Sequence, residues 1–205
     1  SNITQYFSAW GVVYGSILML FTILYMLTIL LMEKKDKEIY KGLSDTDALT
    51  GLFNRRAFQA AVDETLLKRI SGVFIFIDVD NFKDYNDKYG HANGDLCLKH
   101  FAATMKKCFP KDSILGRYGG DEFVVYIKNA ASDDAHRYMD EFQREISHLM
   151  MSGGEHVTVS ASAGGVAFIG GGEDFVSLCR SADNMLYDVK RNGKGTFKIK
   201  GAKNM

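Results

Sequence analysis

The sequence predicts an α+β domain preceded by a single membrane-spanning helix. Three observations predict this fold. Residues 7–32 form an apolar run without a charged residue. After it, the segments from residue 73 onward alternate between strand and helix patterns in the order β-α-α-β-β-α-β-α-β, which is typical of helices packed on a sheet. Hydrophobic residues make up 46% of the chain and charged residues 24%, so the composition supports a normal core.

The apolar run is long enough to cross a membrane. It exceeds the roughly 20 residues that a spanning helix needs, and Trp10 and Tyr14 lie near one end, as interfacial aromatic residues do. Lys34, Lys35 and Lys37 follow the other end. The positive-inside rule therefore places the rest of the chain in the cytoplasm. A buried core helix or a cleaved signal peptide fits less well, because the run is long and no basic segment precedes it.

These features predict a single-pass protein of the inner (plasma) membrane with a cytoplasmic domain. We expect residues 1–6 to end an extracytoplasmic part, 7–32 to span the membrane, 33–46 to form a helical stalk and 47–205 to form the domain. Because the chain opens on Ser1 rather than Met, we expect it to be the C-terminal part of a larger receptor.

The charge balance and the cysteines bear on the class of protein. The formal net charge is zero, so the chain lacks the basic footprint of a protein that binds a nucleic-acid polymer. It also lacks the composition of an acidic disordered segment. Cys97, Cys108 and Cys179 form no C-x-x-C pair and are odd in number, which predicts reduced thiols in a cytosolic domain.

The first half of the domain contains clear helix and strand patterns. Residues 54–70 carry apolar side chains on one face and predict an amphipathic helix. Residues 73–77 form a continuous apolar run rich in β-formers, which predicts a strand buried on both faces and ending at Asp78. A short polar helix is predicted over 81–89. Apolar residues at helical spacing predict another helix over 92–109.

A hairpin is predicted at the middle of the domain. Two β-prone runs, 114–118 and 122–127, are separated by Gly119 and Gly120. We expect a tight turn with positive φ at these glycines.

The last third of the domain repeats the same two periodicities. An amphipathic helix is predicted over 133–151 and an alternating strand over 157–168. Residues 174–192 form the cleanest helical stripe, with Gly193 as the residue that ends it. A short strand over 196–199 completes the domain.

Acidic residues occur where two of these strands meet a turn. Asp78 and Asp80 follow the buried strand, and Asp121 and Glu122 follow the two glycines. Carboxylates buried without a partner are costly, so two acidic pairs at one sheet edge predict a site for a hard cation such as Mg²⁺. Two such ions can serve phosphoryl transfer. A lone D-x-D is usually a solvated loop and a lone Gly-Gly is usually only a turn, but their combination is specific.

The sequence around the hairpin resembles a known family. Residues 117–123, Arg-Tyr-Gly-Gly-Asp-Glu-Phe, resemble the signature of the GGDEF family of diguanylate cyclases. Further segments resemble that family between residues 47 and 199: they are 47–56, 78–83, Asn86-Asp87, Gly90-His91, Gly94-Asp95, Tyr187, Lys190, Gly193 and Lys194.

The resemblance implies a fold and a reaction. The fold resembles the palm of nucleotide polymerases and class III nucleotidyl cyclases, in which helices flank a mostly antiparallel sheet. The implied reaction joins two GTP molecules into cyclic di-GMP through attack of a 3′-OH on an α-phosphate, with loss of pyrophosphate. It implies two Mg²⁺ ions per active site, with Mn²⁺ as a possible substitute. Because one domain binds one GTP, it also implies a catalytic homodimer whose geometry the membrane helix and the stalk set.

The resemblance also assigns roles at the metal and phosphate groups. Asp78 and Asp121 hold the metal by their side chains, and Val79 holds it by its carbonyl. Asp121 draws the proton from the 3′-OH, and Glu122 completes the acidic cluster. The remaining catalytic assignment is Lys83, which stabilises the phosphate charge.

Base and phosphate recognition follow from the same resemblance. Asn86 and Asp95 read the guanine edge, and Gly119 and Gly120 let the nucleotide approach the backbone. Lys190 and Lys194 bind the phosphate tail. Where this chain has Lys194, the family commonly has Arg, so the charge is kept but not the bidentate geometry.

Five further positions carry expectations of their own. Many family members carry an inhibitory Arg-x-x-Asp site, but Pro110 and Ser113 occupy those positions here, so product inhibition through that site is expected to be absent. Arg117 is expected to tie the hairpin to Asp47 in a structural ion pair. His91 and Cys97 are expected to be packing residues.

Three other functions remain open at this stage. A catalytically inactive GGDEF domain would bind GTP or a protein partner. A related cyclase would make a mixed cyclic dinucleotide, although such members carry Ser where this chain has Asp95. A purely structural membrane protein would leave the acidic cluster unexplained.

Overall fold

The computed structural model describes residues 2–43, 45–147 and 158–202. The chain divides into two compact units, 1–44 and 45–205. The first unit is one helix, α1 (Asn2–Leu43), so the predicted span and most of the predicted stalk lie on a single helix that ends at Leu43 rather than at residue 46. Within it, Val13–Met32 has a mean hydropathy of 2.3 and is long and apolar enough to cross a membrane.

The polar side chains within this apolar segment bond to their own helix. The hydroxyls of Thr22 and Thr28 donate to carbonyl oxygens three and four residues earlier. Such bonds satisfy polar groups where water is absent. None of the segment is buried, which argues against a buried core helix.

The second unit contains six strands and five helices in its described part. The strands are β1 (Phe53–Asn54), β2 (Gly72–Val79), β3 (Ile114–Gly119), β4 (Glu122–Lys128), β5 (Ala161–Phe168) and β6 (Phe197–Lys200). The helices are α2 (Arg55–Leu67), α3 (Phe82–Tyr89), α4 (His91–Cys108), α5 (Ser132–Ile146) and α6 (Phe175–Arg191). Each predicted element is present with shifted ends. Residues 148–151 of the predicted helix and residue 157 of the predicted strand lie outside the described residues.

The strands form one mixed sheet in the order β1-β3-β4-β2-β5-β6. Strand β2 pairs antiparallel with β4 and β5, and β3 pairs antiparallel with β4. The edge pairs β1–β3 and β5–β6 are parallel. The prediction of a central, mostly antiparallel sheet flanked by helices is confirmed.

Strand β1 was not predicted. Its second residue, Asn54, was assigned to the following helix, but it instead caps that helix: its side-chain oxygen accepts a hydrogen bond from the N–H of Ala57 at 3.0 Å. A two-residue strand has no periodicity of its own, and only its pairing with Gly116 and Arg117 of β3 reveals it.

Helices cover both faces of the sheet, which explains the continuous apolar run in β2. Val73, Ile75 and Ile77 pack into a core with residues of α4 and α5. Phe74 and Phe76 point to the other face and pack with residues of α2 and α6. A strand covered on both sides buries every side chain rather than alternate ones.

Helix α6 lies directly against β5 at Gly164. A Cβ placed on Gly164 would lie 2.1 Å from the backbone nitrogen of Leu186 and 2.3 Å from the carbonyl oxygen of Ala182. Only glycine permits this approach. The close contact fixes the second half of α6 over the sheet and thereby sets the position of Lys190 in its last turn.

Candidate functional site

The acidic residues singled out by sequence come together at one end of β2. Asp78 on β2 is directly opposite Glu122 on β4 in the antiparallel register. The N–H of Val79 donates to the carbonyl oxygen of Asp121 at 3.2 Å. The last residues of β2 therefore adjoin the hairpin turn that carries the second acidic pair.

The environment of this cluster opposes its negative charge. Burial raises the pKa of Asp78, and the nearby charges of Asp121 and Asp80 raise it further, although the bond from Lys190 acts in the opposite direction. Burial also raises the pKa of Glu122, and the charges of Asp78 and Asp121 raise it further. Carboxylates in such a place are stabilised by a cation.

Lys190 is the cation that the protein itself supplies. Its Nζ lies 2.7 Å from Oδ2 of Asp78, and the two side chains are 36% and 13% exposed. Lys190 was predicted to bind phosphate, and the structure places its ammonium group on the metal-ligand candidate instead. The lysine therefore lies at the acidic cluster, within reach of a group bound there.

The available ligands fit Mg²⁺ only as a partial coordination shell. No group of three His, Cys, Asp or Glu side chains is gathered closely enough to hold a metal ion anywhere in the described part of the chain. Asp78 and Asp121 can offer two carboxylates beside the backbone of Val79. Magnesium commonly binds one or two carboxylates and completes its shell with water and substrate phosphates. The donor set therefore suits a metal that arrives with a nucleotide.

Asp80 does not join the cation site that its spacing predicted. Its Oδ1 accepts from the hydroxyl of Ser162 at 2.6 Å, and its Oδ2 accepts from the hydroxyl of Ser160 at 2.9 Å and from the N–H of Gly195 at 3.0 Å. These bonds use both carboxylate oxygens. The expectation of two acidic pairs is corrected to Asp78 with Asp121 and Glu122.

The loop after α6 folds back to the end of β2. Lys194 has φ +60° and lies between Gly193 (φ +118°) and Gly195 (φ +63°). The Nζ of Lys194 donates to Oδ1 of Asn81 at 2.8 Å. Lys190 and Lys194, predicted as a phosphate-binding pair, thus both contact residues at the end of β2.

The candidate base-reading residues lie on neighbouring helices. Oδ1 of Asn86 on α3 is buried and has no hydrogen-bond partner among the described residues. A Cβ on Gly94 of α4 would lie 1.8 Å from this oxygen, so Asn86 could keep this side-chain position only beside glycine. Asp95, the next residue on α4, is exposed. Asn86 therefore lies against the residue that precedes Asp95, and the role of both in base recognition stays a prediction.

Lys83 is not joined to the acidic cluster. It is exposed in the first turn of α3, and no hydrogen bond or ion pair links it to Asp78, Asp121 or Glu122 among the described contacts. Its predicted role in stabilising phosphate charge therefore depends on where a substrate lies.

The hairpin turn differs from the prediction in its backbone. Neither Gly119 nor Gly120 has positive φ. The pairing of β3 with β4 shifts register between Arg117 and Gly119, next to this turn. Gly120 is exposed, and a Cβ there would meet nothing within 4 Å, so its backbone is accessible.

Arg117 holds this turn in place, as predicted. Its Nη2 and Nε donate to the carbonyl oxygen of Gly120 at 2.7 and 3.0 Å, and its Nη1 lies 3.2 Å from Oδ1 of Asp47. The Asp47 ion pair is confirmed. The expectation for Cys97 is also confirmed, since its side chain is fully buried, but that for His91 is wrong, because it is exposed at the start of α4.

Sequence reasoning missed the residues that support this site. Ser162 is fully buried within the apolar strand β5, and Ser160 and Gly195 share its contact with Asp80. A hydroxyl in a strand otherwise composed of apolar residues and glycine was an available signal, since buried polar groups need a partner. Its partner could not be read from the sequence.

A large cavity lies away from the acidic cluster. It has a volume of about 700 Å³ and is lined by residues near the end of β5, the start of α6 and the end of β6, among them Phe168, Glu173, Leu178 and Lys200. Because Asp78 is paired near the start of β5, at Ser162, the cavity lies towards the opposite end of that strand.

Comparisons with known proteins agree with the geometry. The sequence profile described as "Diguanylate cyclase, GGDEF domain" matches residues 44–196. The diguanylate cyclase DgcM of Escherichia coli is 32% identical over 166 residues, which cover 79% of this chain and 40% of that protein. The protein PdeR of Escherichia coli, named a cyclic di-GMP phosphodiesterase, is 32% identical over 168 residues, which cover 80% of this chain and 25% of PdeR. The chain spans about a quarter to a half of the length of the curated relatives it matches.

Solved structures show the same fold. The GGDEF domain of DgcB from Caulobacter crescentus, in complex with c-di-GMP, has a TM-score of 0.70 at 29% identity and covers 76% of this chain and 95% of that one. The diguanylate cyclase SiaD of Pseudomonas aeruginosa, in complex with its activator SiaC, has a TM-score of 0.72 at 27% identity and covers 96% of this chain and 77% of that one. The profile match, the relatives and the shared fold lead to one conclusion: this chain belongs to the GGDEF-domain family of diguanylate cyclases.

Proposed function

We propose that the chain is a diguanylate cyclase that condenses two GTP molecules into cyclic di-GMP and releases two pyrophosphates. The observation that carries the proposal is the meeting of Asp78, Asp121 and Glu122 with Lys190 at the end of β2. An acidic cluster in which burial raises the pKa of Asp78 and of Glu122, beside a lysine, suits a metal–triphosphate complex, because the metal complements the carboxylates and the phosphates complement the lysine.

The proposed chemistry divides among the residues of this cluster. Asp78 and Asp121 hold Mg²⁺ by their carboxylates, and Val79 contributes its carbonyl oxygen. Two Mg²⁺ ions held there, or Mn²⁺ in their place, would supply the positive charge that activates an attacking oxygen and stabilises a leaving one. Asp121 accepts the proton of the ribose 3′-OH, and Glu122 adds negative charge that strengthens cation binding.

The lysines hold the phosphate groups in this proposal. Lys190 exchanges its bond with Asp78 for the triphosphate when a metal neutralises the carboxylate. Lys194 contacts the phosphate tail from the glycine loop after α6, and Lys83 faces the developing charge from the first turn of α3. Three point charges around one triphosphate stabilise the charge that develops on the transferred group.

Guanine selectivity is proposed to rest on Asn86 and Asp95. A carboxylate accepts from the N1 and N2 donors of guanine, whereas adenine presents an acceptor at N1 and no N2 amine. The buried oxygen of Asn86, which has no hydrogen-bond partner among the described residues, is the proposed second acceptor. Gly120 leaves open space beside the hairpin turn for the proposed nucleotide.

The proposed active species is a homodimer at the membrane. Each domain carries one acidic cluster and binds one GTP, so two domains must face each other to close the cyclic product. Helix α1 would anchor the chain through Val13–Met32 and, through its continuation to Leu43, would set how two domains approach each other. A signal received outside the membrane could act by changing that approach.

The experiment that tests this proposal is product identification. The full chain, reconstituted in lipid nanodiscs, is incubated with GTP, ATP and Mg²⁺, and the products are identified by mass spectrometry. We expect cyclic di-GMP alone, and no product from Asp121→Asn. A mixed cyclic dinucleotide would assign the related cyclase activity instead.

The second candidate is a catalytically inactive GGDEF domain that binds GTP or a protein partner. The match to PdeR supports this candidate, because PdeR is as similar to this chain as the cyclase DgcM is, yet it is named for a phosphodiesterase activity. Saturable GTP binding without any product, in both detergent and nanodiscs, would support this candidate over the cyclase.

A further inference from the structure

One carboxylate beside the acidic cluster is held by hydrogen bonds from the protein itself. Asp80 follows Val79, the last residue of β2, and its two oxygens accept three hydrogen bonds from distant parts of the chain. The donors are the hydroxyls of Ser160 and Ser162 and the N–H of Gly195, at 2.9, 2.6 and 3.0 Å. The N–H of Gly195 also approaches the hydroxyl of Ser162 at 3.2 Å.

These hydrogen bonds join three separate parts of the chain at Asp80. Ser160 and Ser162 lie at the start of β5, and Ser162 is fully buried. Gly195 lies in the loop between α6 and β6. Asp80 also fixes its own backbone, since its N–H donates to the carbonyl oxygen of Ser160 at 2.9 Å. The end of β2, the start of β5 and the loop after α6 are therefore held together through Asp80.

The loop that Asp80 holds has an unfavourable backbone. Lys194 adopts φ +60°, a left-handed conformation that residues other than glycine rarely occupy, between two glycines with φ +118° and +63°. Such conformations persist only where the surroundings fix them. Two contacts do so here: Asp80 binds Gly195, and Asn81 binds the ammonium group of Lys194 at 2.8 Å.

We propose that Asp80 is a positioning residue that holds Lys194 and Gly195 in the conformation that receives the triphosphate, without itself touching metal or substrate. The inference rests on the proposed function. The spacing of Asp80 beside Asp78 first indicated a cation ligand. The positioning role differs from that one, since three protein donors already bond to the two oxygens of Asp80. Because the loop and the metal-binding end of β2 meet at this residue, Asp80 sets the distance between the bound metal and the lysine.

The test compares nucleotides with and without a triphosphate. Binding of 3′-deoxy-GTP with Mg²⁺, which cannot react because the attacking hydroxyl is missing, is measured on the full chain in nanodiscs beside binding of guanosine. We expect Asp80→Asn to weaken 3′-deoxy-GTP by between about 10- and 100-fold and to leave guanosine binding unchanged. Ser162→Ala, which removes one of the three bonds, should act in the same direction with a smaller loss.

A double-mutant cycle separates positioning from general support. In a Lys194→Ala background, Asp80→Asn should cost little further affinity for 3′-deoxy-GTP, because both changes remove the same interaction. Asp140→Asn, an exposed carboxylate on α5, is the matched control and should change neither affinity. Thermal melting of each variant reports whether the fold is kept.

Three outcomes would overturn the inference. An equal loss for guanosine and 3′-deoxy-GTP would make Asp80 a general structural residue. If Asp80→Asn weakened 3′-deoxy-GTP binding as strongly in the Lys194→Ala background as in the unaltered chain, Asp80 would act on another group, for instance on the metal. Absence of triphosphate binding by the unaltered chain would reject this inference together with the proposed function. If binding follows the expected pattern but no cyclic di-GMP forms, the cyclase proposal fails and the positioning role stands.

Discussion

Asp78 and Asp80 are two residues apart but have opposite surroundings. Burial and neighbouring carboxylates raise the pKa of Asp78, and among the described residues Lys190 is the cation paired with it. Asp80 instead receives three protein hydrogen bonds. At the scale of single residues, the first is suited to a metal ion that comes and goes, and the second to a permanent structural contact.

Neutralising a metal-ligand candidate should abolish activity and preserve the fold. We expect Asp121→Asn or Asp78→Asn to lower kcat by at least about 10³-fold, because the interaction acts mainly on the transition state. Stability should change little, since a raised pKa means that the folded protein disfavours the charged form of Asp78. Pyrophosphate release and thermal melting measure the two effects. Near-normal synthesis by either variant would reject the metal assignment.

Base choice offers a second test at this scale. Asp95→Ser should relax guanine selectivity and permit some use of ATP, because a site built to accept from guanine N1 and N2 loses several kcal/mol of discrimination without its acceptor. Competition between GTP and ATP, followed by product analysis, gives the ratio of kcat/KM values. A variant that stays strictly specific for GTP at full rate would show that Asp95 does not read the base.

At the scale of elements, the site depends on two contacts that fix a helix and a hairpin to the sheet. Gly164 lets α6 approach β5 closely enough to bring Lys190 to Asp78. Arg117 joins the turn at Gly120 to Asp47. The first contact is steric, so an added methyl group should disturb it. The second is electrostatic, so a change of pH should disturb it.

Adding one methyl group at Gly164 should displace α6. In Gly164→Ala the new Cβ would overlap the backbone of Leu186, which cannot rotate away as a side chain can. We expect a loss of about 1–3 kcal/mol of stability and a fall in kcat as Lys190 moves from Asp78. Gly201→Ala is the matched control, since a Cβ there meets nothing within 4 Å. Chemical unfolding and initial rates measure both effects, and equal behaviour of the two variants would contradict this account.

The Asp47–Arg117 pair should make stability depend on acidic pH. Burial acts to raise the pKa of Asp47, but hydrogen bonds from Thr50 and Arg117 outweigh it and hold the pKa below 3.8. A lowered folded-state pKa contributes stability above 3.8 that is lost as the pH falls through the folded value. Asp47→Asn should therefore cost about 1–3 kcal/mol at pH 7, and its deficit should shrink as the pH falls below about 4.

The neighbouring Asp45 provides the control for this pair. Its ion pair with Arg56 is 3.4 Å long, and both side chains are more than half exposed. Surface pairs of this kind contribute little. Asp45→Asn should leave the curve of unfolding free energy against pH unchanged, and a deficit equal to that of Asp47→Asn would refute the distinction between the two pairs.

At the scale of the whole molecule, the candidate membrane span and the candidate active site lie in different units. The unit that begins at Asp45 contains the whole sheet and both cores. A chain that starts there should fold and leave the membrane fraction. Its activity per domain should fall on dilution, because pairing of two domains becomes bimolecular without the shared membrane helix.

Fusing this shortened chain to a parallel coiled coil should restore activity at low concentration. Specific activity against protein concentration, with and without the fusion, is the measurement. Activity that is independent of concentration without the fusion would contradict a dimeric active species, and retention in the membrane fraction would contradict anchoring through α1.

The sequence by itself determined the local features of this protein. Side-chain direction repeats about every 3.6 residues in a helix, so apolar periodicity was sufficient to locate α6. A continuous apolar run located β2, and two β-prone runs around Gly119 and Gly120 located the β3–β4 hairpin. The charge-free run was sufficient to locate a candidate membrane span. The signature at residues 117–123 identified the family and the position of Asp121 and Glu122, and the pairing of Arg117 with Asp47 followed from it.

Only the tertiary structure decided which distant groups meet. Gly195 lies 115 positions from Asp80, and Lys194 lies 113 positions from Asn81. Nothing in the local pattern distinguishes Asp80 from Asp78, and nothing in α6 indicates that Lys190 reaches a carboxylate on β2. Hydrogen-bond partners at such separations are set by how helices pack on the sheet, as at Gly164, and that packing is a property of the whole fold rather than of any one segment.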